Sequence, residues 1–180
     1  GNITIDVAED KTLSYSGAAV NIGANKLTMS GKGTFNNTNA LRLSGSSRLL
    51  LSNTTTVGSV STSANISGLG VDVNQSSTIT ALSVGHTTPV SIASGKTLSG
   101  AITVTGGSIK LGETGTLAST VTMSGGTLDA NNNLTLSGAL SHSGDITIDV
   151  ANNKILTYSG TAINVGANTI TLSGGGSFVS

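Results

Sequence analysis

Aliphatic residues recur along this chain at one fixed set of spacings. From Ile102 they fall at Ile102 and Val104, then Ile109 and Leu111, then Leu117; 19 residues later the same offsets of 0, 2, 7, 9 and 15 place Val121, Met123, Leu128, Ala130 and Leu136. The template also fits Val20, Ile22, Leu27, Met29 and Phe35; Ala64, Ile66, Val71, Val73 and Ile79; and Ile163, Val165, Ile170, Leu172 and Phe178. Turns beginning at Leu41 and Leu82 fit with one residue inserted after the first pair, giving Leu49, Leu51 and Val57, then Val90, Ile92 and Leu98. In the turn from Leu140, the inward role is expected of Ile146, Ile148, Val150, Leu156 and Tyr158. Internal periodicity on this scale is the mark of an array of stacked units.

Within each pair the alternation has the period of a strand with one face buried. The gaps hold Gly, Asn, Ser and Asp, which supply turns and positive φ. No window shows the i, i+3, i+4, i+7 pattern of an amphipathic helix. The spacing therefore predicts an all-β fold, a right-handed parallel β-helix (β-solenoid) with three short strands per turn and about eight or nine turns. Each strand then pairs with its equivalents one turn above and below, about 4.8 Å away, and the rod is roughly 40 Å long. One turn cannot bury its own inward side chains; stacked turns build a continuous aliphatic column.

A longer repeat contains the short one. Gly1–Asn37 aligns without a gap to Gly144–Ser180 at an offset of 143, with 22 of 37 positions identical. Many changes keep the apolar template: Val20 becomes Ile163, Ile22 becomes Val165, Leu27 becomes Ile170 and Met29 becomes Leu172. Residues 1–180 are thus expected to form a single β-solenoid, with 1–143 as one long unit and 144–180 as the start of the next, a fragment of a larger repetitive protein.

Composition excludes several functions. Eight Lys plus Arg balance eight Asp plus Glu, which argues against electrostatic binding of nucleic acid or anionic membranes. The absence of Cys removes disulfides, thiolate metal sites and thiol nucleophiles. The longest aliphatic run, Leu49–Leu51, is far short of a membrane span. Ser, Thr, Gly and Asn fill 95 of 180 positions, yet 36% of the chain is hydrophobic and regularly spaced, unlike a disordered segment.

Candidate chemistry is sparse. Asp6, Glu9 and Asp10 form the densest acidic group, but Asn152 and Asn153 replace the last two in the second copy, leaving Asp149 as the counterpart of Asp6. A solvated turn fits that better than a calcium site, and the G-G-x-G-x-D repeats of calcium-binding solenoids are absent. His86, near Pro89, and His142 are three turns apart, roughly 14 Å of rise, too far to act together. No G-x-S-x-G elbow and no G-x-x-x-x-G-K-[ST] phosphate loop occurs. Lys11, Lys26, Lys32, Arg42 and Arg48 form an acid-free basic stretch, but Thr169 and Gly175 replace Lys26 and Lys32 in the second copy. Scattered solubilising charges are the reading favoured over a binding face. The residues between the first aliphatic pair are Asn21, Arg42, Asn65, Ser83, Thr103, Thr122, Ser141 and Asn164; between the second they are Thr28, Leu50, Asp72, Ser91, Lys110, Asp129 and Thr171. Neither row is a threonine array, which argues against an ice-ordering face. No catalytic, cofactor-binding or metal-ligating residue is assigned, and no cofactor is expected.

Turns such as Ala101–Thr120 (AITVTGGSIKLGETGTLAST), with KLTMSG at Lys26–Gly31, NLTLSG at Asn133–Gly138 and TITLSG at Thr169–Gly174, resemble the shafts of bacterial surface β-solenoids. These are filamentous-haemagglutinin-like exoproteins, autotransporter passengers and giant repetitive adhesins. The resemblance covers essentially the whole chain and implies an extracellular or cell-surface, outer-membrane-associated location. It further implies a non-catalytic structural shaft or adhesin segment that projects or mediates cell–cell or cell–surface contact. Implied partners are surface glycans or other cell-surface proteins, with end-to-end self-association through exposed strand edges; nucleic acid and a membrane span are not expected. The alternative is a β-helical protein that binds or degrades polysaccharide, as tailspikes and lyases do.

Overall fold

The computed structural model describes Gly1–Ser180 and is an all-β parallel solenoid of about eight turns, without helices. Nine parallel strands form the first sheet: Ile3–Val7, Lys26–Gly31, Arg48–Leu51, Gly70–Val73, Thr88–Ile92, Ser108–Gly112, Thr127–Ala130, Ile146–Val150 and Ile170–Ser173. The second runs through Thr12–Tyr15, Thr34–Asn37, Thr56–Ile66, Ser77–Val84, Thr97–Val104, Thr116–Leu117, Leu134–Leu136, Ile155–Tyr158 and Ser177–Val179. A third, shorter stack contains Val20–Gly23, Leu41–Gly45, Thr120–Met123 and Leu140–His142. Between them, Thr56–Ile66, Ser77–Val84 and Thr97–Val104 run on from the second sheet into this stack.

Most of the aliphatics predicted to face inward lie in one buried cluster of 36 residues, running from Ile22 to Tyr158; Val20 and Leu172 are exposed, and Ile170 and Phe178 are only partly buried. Met29, Leu49, Leu51, Val71, Val90, Ile109, Leu111, Leu117, Val121 and Leu128 are fully buried. In the less regular turn, Ile146, Ile148, Val150, Leu156 and Tyr158 are buried as expected.

Three positions depart from the aliphatic template. Ala64 is exposed, and Val60 takes its inward place, pairing with Leu41 on one side and Leu82 on the other. Continuing Thr56–Ile66 straight through the corner keeps the backbone paired with the turn below, and this fixes Val60 rather than the later apolar pair. Second, the first sheet slips by two residues: Val90 pairs with Val71 below but with Leu111 above, so Ile109 meets Thr88. Thr88 is fully buried at an inward position, and its hydroxyl donates to the His86 carbonyl at 2.9 Å, which satisfies the polar atom locally. Third, residues 159–169 hold no strand; Ile163 is half-buried and Val165 exposed. Their counterparts in Val20–Gly23 are a strand because Leu41–Gly45 lies above them, a partner the second copy lacks here.

Along the first sheet the two copies keep the same stacking contacts. Ile3 pairs with Leu27 as Ile146 pairs with Ile170. Asp6 accepts from the Ser30 hydroxyl at 2.6 Å, and Asp149 accepts from Ser173. Asn2 accepts from the Lys26 amide at 2.9 Å and its replacement Asp145 from the Thr169 amide at 2.7 Å. Gly31 and Gly174 both have positive φ, 78° and 86°, and a Cβ at either would lie 2.0 Å from the carbonyl oxygen of Val7 or Val150. Only glycine fits there.

Replacing Ile109 by Ala leaves a cavity in the column and should cost about 2–5 kcal/mol, while Ile109→Asp, which buries an unpaired charge, should cost more. Chemical unfolding followed by circular dichroism measures both, with hydrogen exchange expected to rise first in Thr88–Ile92 and Thr127–Ala130. Unchanged unfolding in Ile109→Asp would contradict the placement.

Candidate functional site

The stacking that buries one side chain in two exposes the other, so each outward row becomes a ladder. On the second sheet two hydroxyl ladders run along the rod. The first is Thr12, Thr34, Thr56, Thr78 and Ser99; the second is Thr97, Thr116, Thr135 and Thr157, each residue pairing with the next. Neighbouring hydroxyls in such a ladder are about 4.8 Å apart. Where the ladders meet, a shallow groove of about 200 Å³ is lined by Thr54, Thr56, Ser76, Thr78, Thr97, Ser99 and neighbouring polar residues, with no apolar side chain. A threonine array therefore exists, on a row other than the two between the aliphatic pairs, and the ground for setting aside an ice-ordering face does not hold for this sheet. The sequence signal was the Thr immediately before the fifth aliphatic of the template, at Thr34, Thr56, Thr78, Thr97, Thr116 and Thr135. β-Branched side chains have few rotamers, so such hydroxyls are presented at little entropic cost.

The first sheet carries the charged row. Pro89, Lys110, Asp129 and Asp149 follow one another in register. The sequence placed Lys110 between Ser91 and Asp129; the two-residue slip pairs Ser91 with Gly112 instead, Lys110 stays beside Asp129, and the separate register of Thr127–Ala130 with Ile146–Val150 sets Asp149 beside Asp129. Burial, with the Asp149 carboxylate adding to it, raises the Asp129 carboxyl above its ordinary range, against lowering by an Asn131 hydrogen bond and by Lys110. Two adjacent carboxylates and one ammonium can bind a polar ligand or exchange a proton. No group of three or more His, Cys, Asp or Glu side chains is placed to hold a metal ion.

The remaining candidates do not converge. Asp10 and its counterpart Asn153 both adopt positive φ, 57° and 59°. Asp and Asn tolerate that conformation better than most residues, so the pair is explained by the turn and not by charge. Glu9 pairs with Lys32 at 3.2 Å, both largely exposed, an ion pair of little energetic weight. His86 is exposed in its corner. His142 takes the position above Met123, its Nδ1 is 3.0 Å from the Gly144 carbonyl, and its buried Nε2 has no partner.

The basic residues are also divided. Arg48 binds Asp72, which is buried on the outer side of the first sheet, and Lys32 is engaged by Glu9. Lys26 begins a first-sheet strand, whereas Arg42 lies in the third stack. They do not make one face.

The chain matches no protein-family model, no curated protein and no solved structure.

Asp129→Asn should raise the melting temperature near neutral pH. A carboxyl whose folded value is raised stabilises the fold only when protonated. Its contribution is fully present below the ordinary carboxylate value of about 3.9 and is lost as pH rises through the folded value. The gain from Asp129→Asn should therefore shrink as pH falls toward about 3.9. Thermal scans across that range test it, and a gain that grows on acidification would contradict the burial and Asp149 effects.

Proposed function

We propose that the chain is a non-catalytic shaft segment of a secreted or cell-surface repetitive protein, which projects or mediates contact between surfaces. One observation carries the reading: the 37 residues common to both copies of the long repeat keep their first-sheet register, their cross-turn side-chain bonds and their tight glycine corner. A module with those properties extends a rod by simple addition, because each turn depends on its neighbours and little else. The low content of charged residues, 9%, and of aromatics, 2%, suits a surface that must remain inert over length. Surface glycans or other cell-surface proteins are the partners this reading assigns, outside the cell.

A second reading is a polysaccharide-binding or polysaccharide-cleaving solenoid, favoured by the adjacency of Asp129, Asp149 and Lys110. Glycosidic cleavage by paired carboxylates requires the sugar to be held between them. The hydroxyl groove offers hydrogen bonds without a stacking ring, since the chain has no Trp and none of Tyr15, Phe35, Tyr158 and Phe178 lines it.

The purified chain incubated with acidic and neutral glycans should retain ligand weakly or not at all and leave every glycan intact. Cleavage abolished by Asp149→Asn would replace the shaft reading with the enzymatic one. Partition into growing ice, lost in Thr97→Lys with Thr116→Lys, would replace it with an ice-ordering role for the second sheet.

A further inference from the structure

Among the strands of this rod, charge is concentrated on one lateral face and ordered along it. The nine strands of the second sheet contain no Asp, Glu, Lys or Arg, and Arg42 is the one such residue in the four strands of the third stack. On the outer side of the first sheet one row reads Lys26, Arg48, Gly70, Pro89, Lys110, Asp129, Asp149 and Ser173, each residue beside the next. Like charges directly opposite on adjacent strands repel. The row holds two such neighbours, Lys26 with Arg48 and Asp129 with Asp149. Asp72, bound to Arg48, and Lys110, beside Asp129, offset that repulsion only in part.

The two like-charged pairs are placed symmetrically. Pro89 belongs to the fifth of the nine first-sheet strands. Arg48 lies two strands before it and Asp129 two strands after; Lys26 lies three before and Asp149 three after. Gly70 and Lys110 are each one strand away. A half-turn about an axis along the Pro89 strand therefore brings every charge of the two pairs opposite one of the other sign.

We propose that this face binds the same face of a second copy of the chain, the two rods lying side by side and running in opposite directions about a two-fold axis at Pro89. Lys26 then meets Asp149 of the second copy and Arg48 meets its Asp129, and each contact occurs twice, as in any isologous interface. Lys110 of the second copy lies over Gly70, which has no side chain to compete for the space. Such a half-turn keeps strand direction, so the row faces itself. Rods running in the same direction would instead set Lys26 against Lys26 and Asp149 against Asp149. Apolar side chains lie nearest the axis: Pro89 on it, and Leu69, 51% exposed, just before Gly70. All five charged residues of the row lie between 26 and 149, so the contact is independent of how the chain continues. It goes beyond the shaft reading and holds for the rod in any setting.

Nine strands at about 4.8 Å and four or five residues at about 3.3 Å make a face of roughly 600 Å² per copy. Two such faces bury about 1,200 Å², the lower bound of the standard range for stable, specific complexes. The dimer is accordingly weak, and its ion pairs make it sensitive to salt.

The test uses the 180-residue chain and the variants Lys26→Asp and Asp149→Lys. Each turns a like-charged neighbour within the chain into an unlike one, so circular dichroism should match the unmodified chain. Lys26→Gln and Asp149→Asn, which should weaken the dimer by a smaller factor, serve if a reversal does not fold. In sedimentation equilibrium at low salt the unmodified chain should rise with concentration to twice the monomer mass and stop, because a two-fold contact closes. Added salt should return it to the monomer. Each reversal alone should weaken dimerisation more than about tenfold, since two contacts of every dimer become like-charged. An equimolar mixture of the two reversals, or one chain carrying both, should dimerise as the unmodified chain does. A chain that stays monomeric at every concentration overturns the proposal. So does growth past twice the monomer mass, and so does a dimer that the reversals leave unchanged.

Discussion

Everything in this molecule follows from the need to bury a strand's apolar side against something. A single turn of about twenty residues has no second layer to close over its inward side chains, so burial is achieved by the turns before and after it. The same displacement satisfies the backbone, because strands one turn apart are at pairing distance and their amides and carbonyls meet along the rod. Hydrophobic burial and backbone hydrogen bonding therefore act along one direction. That is why a chain with so few large side chains can still fold: the column needs aliphatics of matched size at matched positions, and the corners need only residues that bend.

The polar surface is a by-product of that column. Pleating turns every second residue outward, and stacking converts any residue that recurs at a fixed offset into a ladder. Threonine is well suited to these outward positions because its β-branch favours extended backbone. Its hydroxyl satisfies the solvent side. The ladders from Thr12 to Ser99 and from Thr97 to Thr157 thus have a structural origin first, and any ligand they meet is met by geometry that the fold already required.

Much of this was legible in the sequence because aliphatics report the column directly. The offsets of 0, 2, 7, 9 and 15 identified the inward residues and the strand alternation, and 143 identified the long unit. What they could not reveal was which inward residue stacks on which. Thr88 is an inward position filled by a polar side chain whose hydroxyl is satisfied by its own corner, so a scan for aliphatics passes over it and aligns Val90 with Ile109. Val60 was missed for a related reason: the long strand Thr56–Ile66 carries Val57, Val60 and Ile66 through a corner, and backbone pairing with Leu41–Gly45 decides among them. The pairing of Lys110 with Asp129 follows the 19-residue spacing, but Asp149 does not, because Ile146, Ile148 and Val150 offer three inward positions and only backbone pairing sets Leu128 on Ile148 and so Asp129 on Asp149.

Comparison of the two copies separates what the stack requires from what it tolerates. Glu9 and Asp10 become Asn152 and Asn153, and Lys32 becomes Gly175, so the exposed Glu9–Lys32 pair vanishes while the turn, with its residue at positive φ, is kept. Asn2 becomes Asp145, and the oxygen that receives the next turn's amide remains. Charge changes freely where it faces water; hydrogen-bond acceptors, inward apolar character and tight corners are kept, because each of those is shared with the turn above or below. A residue in such a rod is constrained in proportion to how many turns it touches.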